Sequence, residues 1–188
     1  MVVDSNSVGD PARFLTLAEL KAGLHAMGRA RRDDGRVALL LRRGNGGARE
    51  VLERARLTPE AGIPADAWER SAKKNPQMQI ATMQPRVAEL IANGQPLTLF
   101  GDCLFLDLDL STANLPVGSQ LAVGGATLEV TPHPHNGCRK FLARFGADAL
   151  RFVSMPELRD RNLRGIYLSV VVAGDVSAGD GVCVLSRA

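Results

Sequence analysis

The residues best able to do chemistry in this 188-residue chain crowd into one stretch, Thr131-Pro-His-Pro-His-Asn-Gly-Cys-Arg-Lys-Phe-Leu-Ala-Arg-Phe145. It holds two of the three histidines, a cysteine, three cations and two prolines. Pro132 and Pro134 keep His133 and His135 extended, and residues two apart in an extended chain project to the same side. Asn136 is placed to cap a helix, which puts Cys138 in its first turn. There the unpaired N–H groups, the positive end of the dipole and the neighbours Arg139 and Lys140 favour a thiolate. A cysteine in that setting can act as a metal ligand or a nucleophile. The same residues have a plainer reading. Cys138, Phe141, Leu142 and Phe145 follow the i, i+3, i+4, i+7 spacing of a buried helix face, and on spacing alone that reading is the stronger. The histidines also fit an exposed loop, and two His with one Cys need a fourth partner to make a zinc site.

The surrounding pattern is mainly β. Val37 to Arg43 reads as a strand, and Asn45-Gly46-Gly47 as the turn of a hairpin returning through Val51 to Leu57. Gly44-Asn45-Gly46-Gly47 lacks the Gly-Lys-Ser/Thr ending of a phosphate loop and so takes a structural role. Met78 to Met83 reads as a strand, and Pro85 to Ala92 as a short helix closed by Asn93-Gly94. Leu97 to Phe100, Leu104 to Leu110, Leu121 to Val123 and Ala126 to Thr131 are short apolar runs between tight turns, which imply an antiparallel sheet or barrel. Ile166 to Val172 and Val182 to Leu185 are two more strands, joined by turns at 173–175 and 178–181. Cys138 to Leu163 is a helical insertion between the two β sets. Thr16 to Arg32 suits an added N-terminal helix, with Thr16 and Glu19 in capping-box positions.

Composition narrows the class. Hydrophobic residues are 45% and charged residues 23%, the balance of a globular chain. No apolar run approaches membrane-spanning length, and Met1 to Asp10 does not resemble a secretory signal, so a cytoplasmic protein is expected. Cys103, Cys138 and Cys183 are widely spaced and odd in number, which disfavours disulfides; Cys103 and Cys183 sit inside strand patterns and read as core. Aromatic residues are only 4%, too few for a base-stacking platform. Residues 13–56 carry 11 basic against 5 acidic side chains. Nucleic-acid binding through Arg29 to Arg43 is nevertheless the least favoured function, given a net charge of only +3. A second basic cluster, 137–164, includes Arg139, Lys140, Arg144, Arg151 and Arg164, and suits an anion.

Several segments together resemble the MOSC family, named for the C-terminal domain of molybdenum cofactor sulfurases. They are Gly101 to Ser111, Asn114 to Gly118, Ala126 to Thr131, His135-Asn-Gly-Cys-Arg-Lys-Phe141 and Leu163 to Ile166. Upstream, Ala61-Gly-Ile-Pro-Ala-Asp-Ala-Trp68 resembles a family loop in which Ala65 replaces a second glycine and Asp66 is kept. The resemblance implies a twisted β barrel over residues 34–188, with residues 1–33 a helical extension. It implies that Cys138 contacts the molybdenum cofactor, as metal ligand or carrier of transferable sulfur. His133, His135, Asn136, Arg139, Lys140, Arg144, Arg151, Arg164 and Asp66 become the residues expected to hold the anionic pterin. Sulfur transfer to the cofactor, or molybdenum-dependent reduction of a small N-hydroxylated substrate, are the implied activities. A sulfur-donor desulfurase or a redox protein would be the partner, because 188 residues leave no room for the sulfurases' separate pyridoxal-phosphate domain. The alternative is a non-catalytic module that uses the same pocket for a small anion or for docking on a partner.

Overall fold

The computed structural model describes residues 8–188 and the backbone of residues 2–3. Seven strands close into a mixed barrel: β2 (Asp34–Arg43), β5 (Ile80–Met83), β6 (Leu104–Leu106), β7 (Gln120–Val123), β8 (Ala126–Val130), β9 (Ile166–Val172) and β11 (Gly181–Ser186). Their order around the barrel is β2-β11-β7-β8-β9-β5-β6, and β6 pairs back to β2. The short strands β1 (Val2–Val3) and β3 (Arg49–Val51) extend the sheet beyond β2. Every pair in the barrel is antiparallel except β5 with β6. The parallel pair departs from the antiparallel expectation for a topological reason. Helix α2 (Pro85–Ala92) carries the chain back over the sheet between them, and parallel strands require such a crossover.

Alternation along the strands makes two cores. Leu40, Leu104, Leu106, Leu121, Leu128 and Leu168 join one buried cluster, whereas Leu41 and Phe105 join another with the helices. The second cluster lies under α1 (Leu17–Ala26), α2 and α3 (Arg139–Val153) and contains Leu20, Val87, Ile91, Phe141, Phe145 and Phe152. The Thr16–Glu19 capping box forms as read, and Asp148 on α3 accepts from the Leu17 N–H at 3.0 Å. Helix α1 ends at Ala26, short of Arg32. Beyond it Arg31 and Arg32 turn to Asp34 and Asn114.

Other differences follow from local chemistry. The Asn45-Gly46-Gly47 turn does join β2 to β3, with Gly46 and Gly47 at positive φ, but β4 (Arg54–Leu57) leaves the hairpin and pairs with β10 (Gly174–Ser177). Leu97 to Phe100 is a 3-10 turn rather than a strand, because Pro96 leads into it and the Phe100 N–H donates to the Leu97 carbonyl. Strand β6 stops at Leu106, well before Leu110. Cys103 is buried as the strand pattern predicts, but Cys183 is exposed: alternation turns Val182 inward and its neighbour outward. The insertion 138–163 is helical, with α3 kinked at Gly146 and a 3-10 turn at Pro156–Arg161.

Gly165 links the insertion to β9 at φ +99°, and a Cβ there would stand 2.0 Å from the Thr82 carbonyl oxygen. Backbone cannot yield as a flexible side chain can. Gly165→Ala is expected to cost roughly 2 to 4 kcal/mol. Urea unfolding measures it, and an unchanged midpoint would contradict this packing.

Candidate functional site

The chain following β8 stays irregular through the Pro-His-Pro-His segment, and α3 begins at Arg139. Cys138, not Asn136, occupies the N-cap position, and no side chain caps the helix. Cys138 is exposed, and Leu142 is partly so, while Phe141 and Phe145 are buried. The thiol therefore stands apart from the buried stripe that its spacing allowed. It borders a cavity of about 360 Å³ lined by Arg43, Arg49, Lys140, Arg144 and Arg164. Phe100, stacked on Phe145 at 4.2 Å between centroids, and Phe141 supply apolar wall.

Each arginine is held differently. The Arg43 side chain forms a two-pronged pair with Asp66 at 2.5 and 3.0 Å, and its main-chain N–H donates to the same carboxylate. Arg164 Nη1 donates to both oxygens of Asp102 at 2.9 and 2.8 Å. Arg49 donates to the carbonyls of Phe100, Gly47 and Ala48, and Arg144 to that of Leu99 at 2.7 Å. The Leu99 and Phe100 carbonyls thus turn toward guanidinium groups instead of a sheet neighbour. Burial lowers the proton affinity of Arg49, and the charges of Arg144 and Arg43 lower it further. Burial does the same at Arg144; a thiolate at Cys138 would act oppositely, and Arg164 adds to the lowering. An anion in the cavity would relieve this mutual repulsion.

Asp66 is buried, does not line that cavity, and accepts from the Trp68 N–H as well. Burial raises its pKa, but the Arg43 pair and two N–H donors outweigh this and hold the carboxyl below its ordinary value. Ala65, the residue standing where the resemblance has glycine, adopts φ +60° and is pinned by a bond from its N–H to the Glu69 carboxylate. The glycine position keeps its left-handed backbone, at a steric cost a glycine would not carry. Asp102 is fully buried, and burial raises its pKa, offset in part by Arg164. Burial pushes the Cys103 thiol up to about 12, which leaves it a protonated core residue.

The remaining expected residues are spread around this centre. His135 stacks on Tyr167 at 4.3 Å, its Nδ1 lies 3.7 Å from Asp102, and it lines a second cavity with Asn136 and Arg164. His133 packs on the same tyrosine at 5.6 Å. Arg139 and Arg151 are exposed and line neither cavity. Among the described residues, no cluster of three His, Cys, Asp or Glu side chains could hold a metal. Sequence reasoning missed Arg43 and Arg49 as site residues, although the excess of arginine across 13–56 was their signal. It also gave Gly44 and Gly47 a turn role alone, while both border the cavity. Asp102 lay within the Gly101 to Ser111 resemblance, but nothing in the sequence attached a role to it.

His135 has a pH consequence. Burial, then the charges of Arg164, Arg43 and His133, hold it well below 6.5, so the folded protein keeps it neutral where the unfolded chain protonates it. Unfolding then takes up a proton below about pH 6.5, and stability falls as pH drops by up to about 1.4 kcal/mol per unit. The raised Asp102 carboxyl acts with the opposite sign, so the comparison must be with His135→Gln. Urea midpoints at pH 7 and 5.5 are expected to show a smaller loss in the variant; equal losses would mean His135 is not held neutral.

A family model described as the MOSC domain matches residues 73–183. Among solved structures the chain is similar to the YUAD protein from Bacillus subtilis, at 17% identity and TM-score 0.57, covering 82% of this chain and 97% of that one. It is also similar to YiiM from Escherichia coli, at 20% identity and TM-score 0.53, covering 81% and 71%. YiiM from Geobacillus stearothermophilus gives 14% identity and TM-score 0.54, covering 81% and 76%. At such identities the likeness is one of fold. None of the curated proteins matches the sequence. No helix among the described residues is long and apolar enough to cross a membrane.

Proposed function

The chain belongs to the MOSC domain family, and from that premise we propose that it binds the molybdenum cofactor, with Cys138 as the contact to metal or transferable sulfur. The observation that carries this reading is an accessible thiol bordering a cavity lined by five cations. The donor set fits the group. A phosphate tail and an anionic pterin suit guanidinium groups, which offer planar, paired donors, and a thiolate suits a soft high-valent metal. The aromatic wall of Phe100 and Phe141 suits a ring. Arg49, Lys140, Arg144 and Arg164 would hold the anion, with Arg43 kept in place by Asp66. His133, His135 and Asn136 stand beside this wall, toward the second cavity.

When bound, the cofactor would supply a redox-active metal and a sulfur site. The chain's own residues neutralise its charge, keep Arg43 and Arg164 aimed through Asp66 and Asp102, and leave the thiol open to a reactant. Sulfur transfer and reduction of a small N-hydroxylated compound both fit that arrangement, with a sulfur donor or a redox protein as partner. A second reading is a non-catalytic module for small anions. It draws on the polar wall, which apart from Cys138 is mainly cationic side chains and main chain.

Elemental analysis and fluorescence of the oxidised pterin, on protein from a cofactor-producing host, separate the two. The cofactor reading expects near-stoichiometric molybdenum and pterin, with molybdenum lost in Cys138→Ser. Absence of both from the wild type would sink it. Undiminished binding of the anion in Cys138→Ser, without metal, would favour the module.

A further inference from the structure

The second cavity, about 460 Å³, shares Arg164 with the first and is otherwise walled by different residues. Its polar wall includes Arg159, Asn136 and Ser154, its apolar wall Met155 and Leu163, and among the described residues no carboxylate lines it. Two polar atoms of its lining residues, Arg164 Nε and His135 Nδ1, are buried without a hydrogen-bond partner among the described residues. Their side chains are 7% and 4% exposed. Arg164 spends Nη1 on Asp102, so its Nε–H is a charged donor left over after the ion pair is made. Both atoms lie beneath the cavity's surface, so the lining that meets an occupant is the exposed Arg159 together with Asn136, Ser154, Met155 and Leu163.

We propose that this cavity is a separate binding site for a small organic carboxylate with an apolar body. The charge comes chiefly from Arg159, which is exposed at the cavity, since Arg164 is already paired with Asp102. The apolar body lies against Met155 and Leu163. A volume of this size is within the usual range for small-molecule pockets. Because Arg164 lines both cavities, an occupant here sits one side chain away from the cationic wall beside Cys138. Occupancy of this cavity does not require the cofactor in the first.

The test uses benzoate as probe and cofactor-free, isotope-labelled full-length protein, followed by amide chemical shifts. Saturable shifts are expected at Ser154, Asn162 and Gly165. Arg159 is exposed and free to be changed without opening the core; Arg159→Ala is expected to weaken benzoate about tenfold, the loss of one charge-assisted contact. Lys140→Ala, in the other cavity, is expected to leave the dissociation constant unchanged. Shifts confined to Gly44, Gly47 and Gly101 and abolished by Lys140→Ala would place the anion in the first cavity and overturn the proposal, as would no saturable shift at all. Neither result bears on whether molybdenum is bound.

Discussion

Guanidinium groups resist being gathered in a wall that excludes water, and the fold around Cys138 is organised by how that resistance is met. A buried charge needs a counter-charge or a full set of acceptors. Asp66 answers Arg43, and Asp102 answers Arg164. Arg49 and Arg144 find main-chain oxygens in the Leu97–Phe100 turn, at Phe100 and Leu99. Had that segment joined the sheet, its carbonyls would be committed to a neighbouring strand. Its irregular backbone is therefore part of the site's electrostatics. Among the described residues Asp66 and Asp102 each answer one arginine, and the cationic lining they hold in place is what suits the cavity to an anion.

The same need for counter-charge shapes the supporting loops. Asp66 must reach the main-chain N–H and the guanidinium of Arg43 together, and this places the preceding residue in left-handed backbone, which Ala65 adopts. Gly46 and Gly47 turn the chain so that Arg49 returns beside Arg43, in register with it across β2 and β3.

Much of this was legible in the sequence, for identifiable reasons. Ile166–Val172 and Pro85–Ala92 match their expected bounds, because a β-branched run between turns and a Pro-to-Asn-Gly frame are local signals. Leu97–Phe100 misled because a short apolar run reads alike in a strand and in a tight turn under a ring. Strand β10 was hidden by its own Gly-Asp start, which resembles a turn until β4 is known to lie beside it. In the candidate site, Cys138, Lys140, Arg144 and Arg164 were visible as one charged cluster, since they fall within the helical insertion or at its end. Arg43 and Arg49 approach from about a hundred residues upstream, and no local pattern carries such a contact. Arg139 and Arg151 share the cluster's composition but sit on its solvent side, a distinction that only helix phase and packing make.

The distance along the chain between these arginines has a temporal side. Arg43 and Arg49 emerge during synthesis long before Arg144 and Arg164, and β2 waits for both β6 and the much later β11 before its edges are satisfied. No fragment of the growing chain shorter than 164 residues contains the whole cationic wall. The wall exists only once the ring of strands is shut, so any occupant recognises the finished fold and none of its precursors. Whatever binds there tightens the entire ring at once, acting as a keystone set last into an arch.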